Sequence, residues 1–350
     1  MKVLYLTPWY PSPRDAMEGL FVQKHVDAVR AQGVDVRVIY SQGWRDTWHK
    51  WLKLKREWGL PDVVQLNVVQ KQGVLARWLK WRYNIPYIIV EHWSGYLPEN
   101  GQFMQMSAIK RTFYAKLVRE ASMLLCVSNR LAEAMRTCGL SNPDTRKINN
   151  VVDDFFYNSE GLRETPRDSE NSKVKTLLHV SCFDERAKNV KGLLRAAKIL
   201  ADKRQDWRLV LVGTGIDYQD VRAFADSLAL PKGLLSWTGE LTPQQVSDEF
   251  NKADIFILPS NYENAPVVIS ESLAKGVPVI STRVGGISEM VNDSNGMLVT
   301  PGNAEELAEA MDKMLDNCKS YDRAAIRKEG LQYSFATVGE KLKQIYEEVR

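Results

Sequence analysis

Residues 253–291 read ADIFILPSNYENAPVVISESLAKGVPVISTRVGGISEMV. Ile255 to Leu258 is an apolar run of strand length that stops at Pro259, and Val277 to Ile280 is a second. Between them Val267, Val268, Ser270, Glu271, Leu273 and Ala274 fall at helical spacing, with Pro266 suited to a first helical position and Gly276 to a C-terminal stop. A strand, a helix and a strand in so few residues imply a right-handed parallel crossover. The loop after the first strand then opens at the carboxyl edge of a parallel sheet, where open α/β sheets bind ligands.

Two carboxylates sit on this unit, Glu263 in the loop and Glu271 inside the helix. Unpaired amides and the helix dipole favour an anion at the helix start, and such an anion would have a carboxylate on each side of it. A nucleotide sugar, a diphosphate with hydroxyl-rich rings at both ends, fits, because carboxylates accept from sugar hydroxyls.

The block resembles the E-x7-E signature of retaining GT-B glycosyltransferases of family GT4, in Glu263, Glu271, the following AKGVPVI and the Gly285-Gly286 turn. The resemblance implies an α/β chain of GT-B fold, two Rossmann-like domains with parallel sheets facing across a cleft. It implies that Glu271 binds the ribose hydroxyls, that Glu263 meets the donor sugar, and that the backbone at Val267 and Val268, with Asn264 and Ala265 before them, lines the donor site.

A chain of 350 residues suggests about two domains. With 44% hydrophobic and 26% charged residues the composition is that of a globular protein, and no apolar run approaches the roughly 20 residues of a membrane helix. The start, MKVLYLTPWYPSPRD, breaks its apolar run at Thr7, Pro8 and Pro11, so it reads as a strand rather than a signal peptide. A cytoplasmic protein is expected. Four scattered cysteines without a C-x-x-C pair, and four histidines, argue against a zinc site or a disulfide framework, and a net charge of +4 does not point to nucleic acid.

Strands at Val3 to Leu6, Val34 to Tyr40, Val63 to Leu66, Tyr87 to Val90 and Met123 to Val127 alternate with amphipathic stretches, the pattern of a doubly wound sheet. Glu160 to Ser172, polar and aperiodic, reads as a linker. A second series follows, with strands at Thr176 to Val180, Leu209 to Val212 and Ser236 to Gly239, and helices at Gly192 to Asp202 and Ala304 to Leu315. The expected domains are 1–165 on the acceptor side and 166–332 for the nucleotide sugar. The last helix, within 333–350, crosses back to the first domain, as the resemblance implies.

Other residues carry chemistry. Ser181 to Ala196, SCFDERAKNVKGLLRA, lies between a strand and a helix, so its cations sit at another carboxyl edge. In GT4 proteins this loop gives an arginine and a lysine to the donor diphosphate. Lys188 falls on the lysine position, with Lys191 the weaker claimant, Cys182 stands where the arginine is expected, and Arg186 is near enough to replace it. A fixed cation at the departing diphosphate can do the work of a metal, so no metal or other cofactor is expected. Gly213 and Gly215 form a G-x-G that lacks a third glycine, since Tyr218 is there, and suits the family's nucleotide-base edge better than an NAD site. His92, at a strand end before Gly95, matches the family histidine near the donor sugar and its leaving phosphate. Gly19 is the one glycine of a turn that usually carries two, and lets backbone approach the donor phosphates. Lys147 to Asp153, KINNVVD, reads as structural.

Seven of the ten tryptophans lie between Trp44 and Trp93, and those of 44–58 are interleaved with Arg45, Lys50, Lys53, Lys55 and Arg56. Such a segment suits either a membrane surface, the inner face of the cell membrane in a cytoplasmic protein, or inward packing with a solvated basic face. The function expected is a retaining, metal-independent hexosyltransferase, with a nucleotide diphosphate sugar as donor and a glycan or lipid-linked saccharide as acceptor, in cell-surface polysaccharide synthesis. An epimerase is disfavoured by the E-x7-E block, and a phosphorylase by the lack of a recognisable pyridoxal phosphate lysine. A non-catalytic sugar-nucleotide sensor of the same fold is the alternative.

Overall fold

The computed structural model describes residues 1–13, 15, 17–158 and 174–350. Glu160 to Ser172, read above as the linker, lie outside them. Two compact units result, Met1–Val151 with Gln332–Arg350, and Val152–Leu331.

Unit 1 runs β1 (Lys2–Thr7), α1 (Leu20–Ala31), β2 (Asp35–Tyr40), α2 (Trp44–Trp58), β3 (Val63–Asn67), α3 (Gly73–Tyr83), β4 (Tyr87–Glu91), α4 (Ala108–Glu120), β5 (Met123–Cys126), α5 (Asn129–Thr137) and β6 (Thr145–Lys147). Unit 2 runs β7 (Lys175–Val180), α6 (Glu185–Lys188), α7 (Val190–Ala201), β8 (Trp207–Val212), α8 (Tyr218–Ser227), β9 (Leu235–Gly239), α9 (Pro243–Lys252), β10 (Ile255–Leu258), α10 (Val267–Ala274), β11 (Val279–Thr282), β12 (Gly296–Val299), α11 (Ala304–Asn317) and α12 (Arg323–Gly330). The last helix, α13 (Phe335–Val349), belongs to unit 1.

Each unit holds a six-stranded parallel sheet, in the orders β2-β1-β3-β4-β5-β6 and β12-β11-β10-β7-β8-β9. In β4, β5, β10 and β11 every residue is buried, because helices cover both faces of a parallel sheet. These strands therefore read as continuous apolar runs rather than alternations. Strand β11 starts at Val279, two residues later than expected. Pro278 has no N–H to give the ladder, and its carbonyl instead accepts from Phe256 at 2.9 Å. The short strands β6 and β12 and the helices α5, α6, α8, α9 and α12 were not foreseen.

Helix α13 packs on α1, with Val338, Leu342, Ile345 and Tyr346 in one core with Val22, Val26 and Val29. A Cβ on Gly339 would come within 2.4 Å of the Ala28 carbonyl oxygen, so only glycine allows the two helices to approach this closely. Buried hydroxyls fix the register: Tyr346 Oη donates to Gln65 Oε1 at 2.6 Å and lies 2.7 Å from Tyr5 Oη.

Candidate functional site

In unit 2 the chain begins at the centre of its sheet with β7, moves outward through β8 and β9, then returns to the other side of β7 with β10. The loops leaving β7 and β10 therefore diverge at a topological switch point, the place where such sheets open a ligand crevice. Hydrogen bonds join the two loops: Asn261 N donates to Ala187 O at 2.8 Å, Asn261 Nδ2 to Arg186 O at 3.0 Å and Asn189 Nδ2 to Pro259 O at 3.2 Å.

Lys188 and Glu263, 75 residues apart, meet there. Lys188 Nζ donates to Glu263 Oε1, which also accepts from Ser260 Oγ at 3.0 Å. Their side chains are only 18% and 12% exposed, so the pair is poorly screened. Burial pulls the Lys188 ammonium down, but the Glu263 carboxylate beside it outweighs burial and the net shift is upward. Lys188 thus stays a cation. Lys191, the weaker claimant, turns away to Asp220 on α8 at 2.5 Å. Arg186 projects outward with its guanidinium 6.0 Å from the Tyr262 ring, next to Glu263 in the chain. Cys182, in the place of the expected arginine, is exposed.

The Glu263 loop is seated by the glycine turn behind it. Gly285 has φ +51°, and a Cβ there would fall 1.5 Å from the Glu263 carbonyl oxygen, while Gly286 N donates to Asn264 O at 2.9 Å. Helix α10 starts at Val267 with Pro266 as its N-cap, one position earlier than its expected role, and no side chain caps it. Val267 and Val268 at its first turn are half-buried, and Asn264 before it is buried. Glu271 is buried on the same helix, about 6 Å along the axis from Val267 at 1.5 Å per residue. Gly213 and Gly215 let the β8 loop lie directly on the β7 loop. Added Cβ atoms would meet Ser181 O at 1.9 Å and Phe183 N at 2.5 Å, and Phe183 N donates to Thr214 O at 2.8 Å.

The sequence reading missed His179. It is fully buried at the end of β7, with Nδ1 2.9 Å from Ile257 O and Nε2 2.8 Å from Ser181 Oγ. A carbonyl only accepts, so Nδ1 carries the proton and Nε2 accepts from the serine. The one legible signal was a polar residue inside an apolar strand. Burial lowers His179 to about 4, with Lys188 adding to the fall and the Ile257 hydrogen bond opposing it. The unfolded imidazole protonates near pH 6.5 and the folded one does not until about pH 4, so its contribution to stability is lost as pH falls through that window. A shift of this size is worth roughly 3 kcal/mol. His179→Asn is expected to flatten the acid limb of unit 2 unfolding, followed by melting from pH 7 to 4.5; an unchanged slope would contradict the assignment.

In unit 1, Gly19 and His92 both flank the start of α1. Gly19 is its N-cap at φ +66°, and a Cβ there would lie 2.3 Å from the Trp9 carbonyl carbon. The His92 ring is 4.4 Å from that of Phe21 and 5.5 Å from that of His25. Burial first, then His25, holds His92 well below its usual value against the Asn150 hydrogen bond, so it is a neutral imidazole at pH 7. Glu91, also missed, builds its turn: its carboxylate accepts from the amides of Val69, His92 and Trp93, each at 2.9 Å, and from Tyr96 Oη at 3.2 Å.

Residues 1–154 match the family described as Glycosyltransferase Family 4, and 163–330 match Glycosyl transferases group 1. The chain belongs to glycosyltransferase family 4. TuaC of Bacillus subtilis (strain 168), which carries the name of a teichuronic acid biosynthesis glycosyltransferase, is 25% identical to this family 4 chain over 89% of it and 88% of TuaC. The alpha-D-kanosaminyltransferase of Streptomyces kanamyceticus is 22% identical over 76% of this chain and 71% of its own. Among solved structures, sucrose-phosphate synthase from Thermosynechococcus elongatus superposes with a TM-score of 0.79 at 16% identity, covering 99% of this chain and 98% of that one. Anabaena HepE in complex with UDP gives 0.76 at 18%, covering 99% and 100%. These likenesses show the fold of this family 4 protein, and it is GT-B.

Proposed function

We propose that this protein transfers a hexose-type sugar from a nucleotide diphosphate sugar to an acceptor hydroxyl, with retention at the anomeric carbon and without a metal. The observation that carries the reading is the Lys188–Glu263 pair at the switch point, beside the uncapped start of α10. A diphosphate entering there competes with Glu263 for the Lys188 ammonium. Once it holds Lys188, the Glu263 carboxylate is released to accept a hydroxyl of the donor sugar. Positive charge fixed at the leaving group stabilises the transition state, in which negative charge builds on the diphosphate. Arg186 supplies a second cation in place of the arginine that Cys182 replaces, and Glu271 grips the ribose. Neutral His92 serves a sugar hydroxyl, and retention follows from attack on the leaving-group face, with a diphosphate oxygen taking the acceptor proton.

The acceptor is a glycan or lipid-linked saccharide of a cell-surface polysaccharide, met in the cytoplasm. The name of TuaC, and HepE structures with UDP and with UDP-glucose, support a nucleotide-sugar donor and such a pathway. The test is a thermal-shift screen of UDP-, GDP-, ADP- and dTDP-sugars, then transfer to membrane extract with and without EDTA. Transfer unaffected by EDTA supports the reading, and loss restored by Mn²⁺ refutes metal independence. Glu271→Ala is expected to weaken every donor sharing one nucleotide, and the free nucleoside diphosphate, by about tenfold or more. Unchanged nucleotide affinity would remove Glu271 from the ribose. The exposed thiol of Cys182 at the arginine position favours one rival, a sugar-nucleotide sensor, which donor binding without transfer to any acceptor would establish.

A further inference from the structure

Right-handed crossovers place α2, α3 and α4 on one face of the unit 1 sheet, because β2 to β3, β3 to β4 and β4 to β5 all step in the same direction. Helix α1, whose crossover steps the other way, packs with α13. The two faces differ sharply in charge. Helices α2, α3 and α4 each carry a net +3, together +9 in a chain whose formal charge is +4, so the rest of the molecule is net −5.

The same face is apolar. Among the described residues, five of the eleven exposed large apolar side chains, Trp44, Leu52, Val74, Trp81 and Ile109, lie on these three helices. Trp81 on α3 is 79% exposed, Ile109 on α4 is 83% exposed and Val74 on α3 is 44% exposed. Between α3 and α4 runs an open groove of about 780 Å³, lined by Val74, Trp78, Trp81 and Phe113 together with the cations Arg77, Lys80 and Arg119 and one carboxylate, Glu120, which pairs with Arg77 at 2.6 Å. The tryptophans of 44–58, for which the sequence left a membrane contact and inward packing both open, are largely spent inside: Trp51 and Trp58 are buried and Trp48 stacks edge-on against Trp78 at 4.8 Å. That helix gives the surface mainly its cations and Trp44.

We propose that the α3–α4 face of unit 1, with the basic rim of α2, docks on an anionic lipid bilayer. Charge complementarity selects an anionic partner. Exposed aliphatic side chains level with the cations select lipid over a nucleic acid or an acidic glycan, neither of which has acyl chains to receive Ile109 and Val74. Among the described residues no helix is long and apolar enough to cross a membrane, so the contact lies on the surface. The docking goes beyond sugar transfer and stands on unit 1 alone.

The test is co-sedimentation of the full chain with mixed phosphatidylcholine–phosphatidylglycerol vesicles and with pure phosphatidylcholine. Binding is expected only to the mixed vesicles and to weaken with salt. Neutralising Lys110 and Arg119 to Gln is expected to cost about fivefold per cation, and Trp81→Ala with Ile109→Ala roughly tenfold or more. These side chains are exposed, so the variants fold, and their transfer to a soluble acceptor stays unchanged, which separates this test from that of the proposed reaction. Equal binding to both vesicles overturns the proposal. So does wild-type binding by the α3–α4 variants while Trp44→Ala with Lys53→Gln releases the protein, or binding to heparin or duplex DNA as tight as to the mixed vesicles and indifferent to Trp81.

Discussion

Lys188→Ala is expected to lower kcat by about a hundredfold to a thousandfold, the usual cost of removing one preorganised group from developing negative charge. The Michaelis constant for the donor should rise much less, because the diphosphate still meets the amides at the start of α10. The variant should fold. Glu263 loses its cation but keeps Ser260, and at 12% side-chain exposure it retains some solvent. Lys188→Arg should recover part of the loss. Lys191→Ala should be nearly silent, since that ammonium is already held by Asp220 on α8. Measuring kcat and the Michaelis constant for all three decides the matter, and transfer within tenfold of wild type in Lys188→Ala would place the leaving group elsewhere.

Gly285→Ala is expected to destabilise unit 2 by roughly 3 kcal/mol or more and to abolish most transfer. A left-handed backbone costs an L residue about 1–2 kcal/mol, and the new methyl must also displace the Glu263 carbonyl that it would overlap at 1.5 Å. That carbonyl is backbone, so it moves only by moving the loop, and a misplacement of about 1 Å at a catalytic group can cost a hundredfold. Gly302 gives the control: it too has positive φ, at +77°, but nothing lies within 4 Å of its missing Cβ. Gly302→Ala should therefore lose only the backbone term and keep full activity. Equal melting temperatures for the two variants would show that the Gly285 contact carries no weight.

The site was partly legible in advance because it is built on local patterns. Glu263 and Glu271 are read together within one strand-loop-helix unit, and Lys188 follows from the resemblance to family 4, which places a lysine at that position before the next helix. His179 and Glu91 were not found, because a lone polar residue in or beside an apolar strand carries no periodicity. What marks them is burial together with partners distant in sequence, Ile257 for His179 and Val69 for Glu91. The tryptophan-rich segment stayed ambiguous for a related reason. Its spacing is compatible with a face turned outward or inward, and only the neighbouring α3, by offering Trp78 to Trp48, settles which tryptophans remain at the surface.

By itself the sequence determined the parallel α/β class, ten of the twelve described strands, the helices α7, α10, α11 and α13, and a carboxylate-bearing loop before a helix start. Those follow from period, punctuation and spacing, all short-range properties of a chain. Strand order does not. The tertiary structure alone set β10 beside β7 and so brought Lys188 onto Glu263, and it alone turned three basic helices onto one face. Both outcomes depend on which buried surfaces match across long stretches of chain, a sum over distant pairs that no local window contains.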